Sequence, residues 1–276
     1  MMASFSAEIL KLRTRPAVWV VSAVWLSLGL LFEYVFPYLS YRGGGLRPQA
    51  GAPQQLLDQI LPSHVVTTAI AGWPFFGGAL ILVLGVLLTG SEYGWGSLKT
   101  ILAQGPRRQS VFAGKLLAAG ALALLLVFAG FAAAAGVSSL IAGVESKPID
   151  WPAAADVMRG MAAGWLILAM WSLAGMFLGV AFRGTSLAIG LGVVWVLAVE
   201  QIVRGFAPLV GVLDGLERWL PGTNAGSLVA GLGVQPGAAA GVTTVVDGIH
   251  ALLVVAAYVI GFSLLAVGLV LQRDVV

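Results

Sequence analysis

The segment Ser91-Glu92-Tyr93-Gly94-Trp95-Gly96-Ser97-Leu98-Lys99-Thr100-Ile101-Leu102-Ala103-Gln104-Gly105-Pro106-Arg107-Arg108-Gln109-Ser110-Val111-Phe112-Ala113-Gly114-Lys115 separates two long apolar runs. An acid, Glu92, ends the first run. Gly94 and Gly96 then permit a sharp turn. Ser97–Ala103 reads as a short helix with Leu98, Ile101 and Leu102 clustered, and Gly105-Pro106 stops it. Arg107, Arg108 and Lys115 mark the return to headgroup level. On physical grounds this is a short helix presented between two membrane spans, an element suited to receiving force from a soluble partner.

Composition supports the membrane reading. Of 276 residues, 59% are apolar and only 10% charged, against about 25% charged in ordinary soluble domains. Mean hydropathy is +0.97. A soluble globular enzyme and a disordered chain are excluded, because both need far more polar surface. The uncharged runs are too long for barrel strands and match helices of about 20 residues. The predicted class is an all-α integral membrane protein, one domain over 1–276. Six spans are expected, near 17–36, 65–89, 111–142, 158–182, 186–203 and 250–271, the fifth being the shortest.

Placing the N-terminus inside puts nine Lys and Arg residues on inner segments and six on outer ones. Lys11, Arg13 and Arg15 directly precede the first span. Both termini are therefore predicted cytoplasmic, in the plasma membrane. No small-residue cleavage site follows the first run, so it reads as an uncleaved span. Before it, Phe5, Ile9 and Leu12 share one helical face, with Glu8, Lys11 and Arg15 on the other. This predicts an interfacial helix beside lipid phosphates. It serves either as a topology anchor or as a docking surface for a cytoplasmic partner.

Segment 205–248 is long and external, with apolar pieces too short to span and Pro208, Pro221 and Pro236 between them. It is expected to form short amphipathic or re-entrant helices, the alternative being a loose interfacial loop. Pro74, flanked by Trp73 and Phe75, predicts a kink in span two, either as a hinge or as local packing. The Gly160/Gly164 and Gly175/Gly179 spacings permit close helix approach, within the chain or between copies.

Chemistry is sparse. The chain has no cysteine and two histidines, without metal-ligand or triad spacing. Gly105 and Gly114-Lys115 lack the spacing and the Ser/Thr of a phosphate loop, so no ATP site is expected on this chain. No span centre holds a hydrolytic constellation, which argues against a membrane enzyme. Glu92 is the foremost candidate, to cap the short helix or to pair with Arg107, Arg108 or Lys115; the plain alternative is an interfacial acid. Glu200 and Arg204, four apart, suit an ion pair on one helix face. With Glu33, Trp73, Pro74 and Phe75 they are candidates for the pathway or its outer gate.

The 91–115 segment resembles the signature of ABC-2 type transporter permeases. Their pattern is an acid after span two, a Gly-Ser/Thr-hydrophobic-Lys/Arg turn into a coupling helix, then Pro with basic residues, then Lys entering span three. Glu92, Gly96-Ser97-Leu98-Lys99, Pro106-Arg107-Arg108 and Lys115 occupy those places, and Glu8–Arg13 resembles the family's connecting helix. The resemblance implies a coupling role for Glu92, Gly96, Ser97, Leu98, Lys99, Ile101, Leu102, Pro106, Arg107 and Arg108. It implies two ATP-binding partner subunits carrying MgATP and a second permease, identical or paralogous. Membrane lipids are further partners; nucleic acid is not. Spans two and five would line the route, and transport would be outward, of an amphipathic or hydrophobic compound such as a drug, peptide antibiotic or lipid. The competing function is a non-transporting scaffold coupled to an ATPase.

Overall fold

The structure is a computed structural model that describes residues 2–43, 53–94, 96, 100 and 107–272. Among these residues every regular element is helical. Six helical stretches are long and apolar enough to cross a membrane: Pro16–Gly43, Trp73–Gly94, Arg108–Val144, Ala154–Ala181, Ser186–Leu209 and Gly248–Gln272. These are spans one to six. Helix α1 (Met2–Thr14) precedes them at the end of the bundle called proximal here. At the opposite, distal end lie α2 (Pro53–Gln59) and α3 (Val65–Ile70) before span two. Between spans five and six lie α4 (Gly211–Glu217) and α5 (Pro221–Ala230). The expected Ser97–Ala103 helix is described at Thr100 only, and Ser97, Leu98, Lys99, Ile101, Leu102 and Pro106 lie outside the described residues.

Span two meets its proline as the sequence predicts, with an added feature. Pro74 has no N–H, and its ring excludes the carbonyl four residues earlier. Helix α3 stops at Ile70, and a π-helical turn, Trp73–Gly77, restarts the ladder with Gly77 N–H donating to Gly72 O at 3.0 Å. The freed N–H of Gly72 donates to Glu33 Oε1 of span one at 2.8 Å. Glu33 itself sits in a π turn, Leu31–Val35. A third π turn, Trp195–Val199, interrupts span five just before Glu200.

Spans two and four form the core. Lipid chains are as apolar as leucine, so helices in a membrane gain chiefly from close packing. Glycine supplies it here. A Cβ at Gly85 would strike the Ser172 carbonyl, and one at Gly175 the Leu82 carbonyl. Thr89 Oγ1 donates to Met176 O across the seam at 3.1 Å. The Gly175/Gly179 pair thus serves a contact within the chain, while Gly160 and Gly164 make room for Val66 and Trp73. Span six packs on span four, and spans one and five lie at the periphery, mostly exposed.

At the distal end Glu145, just past span three, gathers span one. Its oxygens accept from Tyr38 Oη at 2.8 Å and Tyr41 Oη at 3.0 Å, with Arg42 Nε at 3.1 Å. The Tyr38 bond chiefly, with Tyr41 and Arg42, holds the Glu145 carboxyl below the usual range.

Two outcomes follow from this packing. Gly175→Ala should cost about 1–3 kcal/mol, because backbone cannot yield to the new methyl; Gly136→Ala, which meets open space, should not. Thermal unfolding in detergent reads both. Second, a depressed carboxyl contributes stability above its unfolded pKa and loses it as pH falls through the folded one. Wild type should therefore melt above Glu145→Gln at neutral pH, and the gap should close as pH falls below about 4.

Candidate functional site: two buried carboxylate joints

The proximal joint is built from three elements. Span two ends by delivering Glu92, which is 1% exposed. Span three begins by delivering Lys115, 4% exposed. Helix α1 lies across both, with its Glu8 and Lys11, and Arg15 just beyond its end, on one face. Lys115 Nζ lies 2.6 Å from Glu92 Oε1 and 3.0 Å from Glu8 Oε1. Lys11 Nζ lies 2.6 Å from Glu8 and 3.0 Å from Glu92. Arg15 reaches Glu92 at 3.4 Å and Ser91 Oγ at 3.3 Å.

Among the described residues two acids thus face three bases. A buried charge without a partner is strongly unfavourable, so the members hold one another in place. Burial works to lower the Lys11 pKa; the bonds to Glu8 and Glu92 outweigh it and hold the ammonium above its usual value. Close backbone approach completes the joint: a Cβ on Gly114 would meet Ser4 and Phe5 of α1.

This places Glu92 against Lys115, one of its three expected partners, and against Lys11 and Arg15, which were expected on a surface facing outward. Helix α1 turns its charged face, with Leu12, into the protein. The pairing was concealed because it spans about 80 residues of sequence. Gly96 adopts φ +66, a left-handed conformation that suits glycine in the turn after Gly94. Arg107 is exposed and opens span three, followed by Arg108.

The distal joint centres on Glu200, 1% exposed. Its Oε1 accepts from Trp195 Nε1 at 3.1 Å and from the Gly222 N–H at 3.2 Å; its Oε2 lies 3.3 Å from Arg204. Arg204 Nε donates to Thr223 Oγ1 at 3.1 Å. The expected pair therefore exists, and it also holds the first turn of α5, where a negative charge is favoured. Gly222 and Thr223 carried no motif and were not legible as its partners.

The remaining candidates divide. Glu33 is joined to Gly72. Trp73 and Pro74 are buried, Trp73 against Trp25 at 5.2 Å between ring centroids and against Phe131 at 5.9 Å. Phe75 is half-buried, and Phe76, which the sequence did not single out, is 56% exposed and stacks on Phe32. Of the two histidines, His250 gives its backbone N–H to Asp247 Oδ1 at 2.9 Å, as does Ile249. Asp247 thus caps span six rather than binding the ring, and the His250 bond chiefly holds its carboxyl below the usual value. Among the described residues no His, Cys, Asp and Glu cluster could hold a metal ion.

Lys115→Met should cost about 3 kcal/mol, because it leaves Glu92 buried with weaker pairing. Adding Glu92→Gln should then cost far less than that substitution does alone. A thermal double-mutant cycle checks both.

A search of curated proteins returns no significant match. The family model for ABC-2 family transporter proteins matches residues 4–199, which takes in most of α1, the proximal joint, spans one to four and span five as far as Val199. The chain is a multi-pass membrane protein that belongs to the ABC-2 transporter family.

Proposed function

We propose that the chain is the membrane permease subunit of an ATP-driven exporter, with ATP hydrolysed on separate ABC subunits that dock at the proximal, cytoplasmic end. The observation that carries this reading is the proximal joint. Residues 95–106 connect spans two and three in the sequence, and the flanks of this connection, Glu92 and Lys115, are tied to each other at 2.6 Å and to α1. A push on this loop by a docked ATPase is received by both flanks at once. Span two is packed backbone to backbone on span four, so a displacement of one moves the other. The coupling residues Gly96, Ser97, Leu98, Lys99, Ile101, Leu102, Pro106, Arg107 and Arg108 belong to this loop and its exit.

A second permease, identical or paralogous, pairs with this chain along the weakly packed faces of spans one and five. The cargo is amphipathic or hydrophobic. The buried charged side chains in the spans are engaged in joints between elements, Asp156 and Arg159 pair at the exposed distal end of span four, and the outward aromatic surface at the level of the span-two break is Phe32 and Phe76. Such a surface suits apolar matter better than a hydrated ion.

Purification of the tagged chain in mild detergent from its native host tests the reading. An ABC ATPase in stoichiometric amount is expected, and its ATP hydrolysis in the complex should lose stimulation by transported compounds in Glu92→Ala. Recovery without any ATPase, even after cross-linking, would sink it. ATP hydrolysis indifferent to every compound exported by the host would favour a scaffold.

A further inference from the structure

Helix α5 is an unusual object for the outside of a membrane protein. It is ten residues long, and Pro221 through Val229 are all buried. Glycines let it sit that deep. Gly222 lies against the Glu200 carboxylate, where any Cβ would collide with Oε2. Gly226 lies against the Gly241 carbonyl, and Gly241, at φ +91, lies in turn on Phe75 of the span-two π turn. One end of α5 is therefore held by span five, while its flank rests on span six and on the span-two π turn, both directly and through Gly241.

The hold on span five is narrow and polar. It consists of the Gly222 N–H to Glu200 bond and the Arg204 to Thr223 bond, with Glu200 itself steadied by Trp195 and Arg204. Both residues of span five follow its π turn. A π turn carries a wide, i to i−5 bonded ring that can shift by one residue along a helix, and such turns recur at functional sites. The turns of spans two and five also pack against each other.

We propose that Glu200 is a positioning residue for transport: with Arg204 it latches α5 to span five, so that spans two and five separate at the distal end only when the carboxylate leaves the Gly222 end of the helix. This rests on the permease reading and adds the moving part to it. Span two is fixed to span four and cannot bend away alone. Span five is peripheral, and at the distal end α5, seated on span six, bridges the two beside their own turn-to-turn contact. Arg204 and Glu200 remain paired to each other when α5 departs, so neither charge is abandoned.

Because the chain lacks cysteine, the pair Glu200→Cys/Gly222→Cys introduces the only thiols. In the permease–ATPase complex in nanodiscs, the oxidised pair should slow ATP turnover about tenfold, as expected when opening is gated, with recovery on reduction. Unchanged turnover in the oxidised form overturns the latch, because a merely structural contact tolerates being fixed. A folded pair whose Cα separation is too long for direct oxidation is bridged with a short bifunctional thiol reagent and read in the same way.

Hydrogen exchange of residues 221–230 gives a second measurement, without cysteines. In wild type it should rise during ATP turnover. In Glu200→Ala it should already be high without nucleotide, and Glu200→Gln, which still accepts from Gly222 and Trp195, should restore much of the protection. Exchange that ignores nucleotide while the partner hydrolyses ATP overturns the latch and leaves the permease reading standing. Absence of any ATPase partner overturns both.

Discussion

The structure depends on Glu92 being charged, buried and paired. A carboxylate moved from water into a low-dielectric interior is strongly penalised unless cations and hydrogen-bond donors meet it there. Lys115, Lys11 and Arg15 meet it, and Glu8 offsets part of their charge. None of these residues is near another in sequence except within α1. Their meeting therefore fixes three things together: the depth at which span two ends, the register at which span three begins, and the azimuth of α1. A hydrophobic cluster would allow each of these to drift. An ionic one in this setting does not, because a drift of even a few ångströms strands a charge.

Packing then sets what moves with what. Where glycine brings carbonyl to Cα across spans two and four, the contact has no flexible side chain to absorb a displacement. Span five lacks such a seam at its distal half and is held there mainly by polar bonds through Glu200 and Arg204. Glycine seams and carboxylate joints are thus two kinds of mechanical part. The first makes elements inseparable. The second makes them separable at a definite place, because a few directed bonds either exist or do not.

Much of the fold was legible in the sequence, for identifiable reasons. Six uncharged runs of spanning length gave six helices, and span ends moved by only a few residues except in three places; span five, expected to be the shortest, runs on to Leu209, and span two is shorter. Span one runs on to Gly43 because Tyr38, Tyr41 and Arg42 find Glu145, a partner about 100 residues away. Span two breaks at Pro74, as proline chemistry requires, but the rescue of the Gly72 N–H by Glu33 needed the tertiary structure. The Glu200–Arg204 pair was readable from its four-residue spacing. Its partners on α5 were not, because Gly222 and Thr223 have no periodicity that points at span five. The face of α1 was readable as amphipathic, but which way its charges turned was not. Helical spacing gives the angle between faces, and only Glu92 and Lys115 decide which face is inward.

Three acids of the spans are met by another element, whereas Asp156 stays exposed and pairs with Arg159 on its own helix. Glu33, Glu92 and Glu200 each accept from a group on another element: a backbone N–H at the span-two break, cations of α1 and span three, and the first turn of α5. In each case the acceptor stands where regular helix hydrogen bonding ends, at a proline break, a helix exit or a helix entry. Helix entries carry unmet donors, as at Gly72 and Gly222, and in a membrane water is not there to meet them; at the exit of span two, where the unmet groups are carbonyls, side-chain cations meet Glu92 instead. A carboxylate is the strongest acceptor a side chain offers. The scarcity of acids in this chain and their placement at helix discontinuities are then two sides of one constraint. Charge is admitted to the bundle where backbone geometry creates a demand for it, and this leaves the exposed faces of the spans to apolar and aromatic side chains.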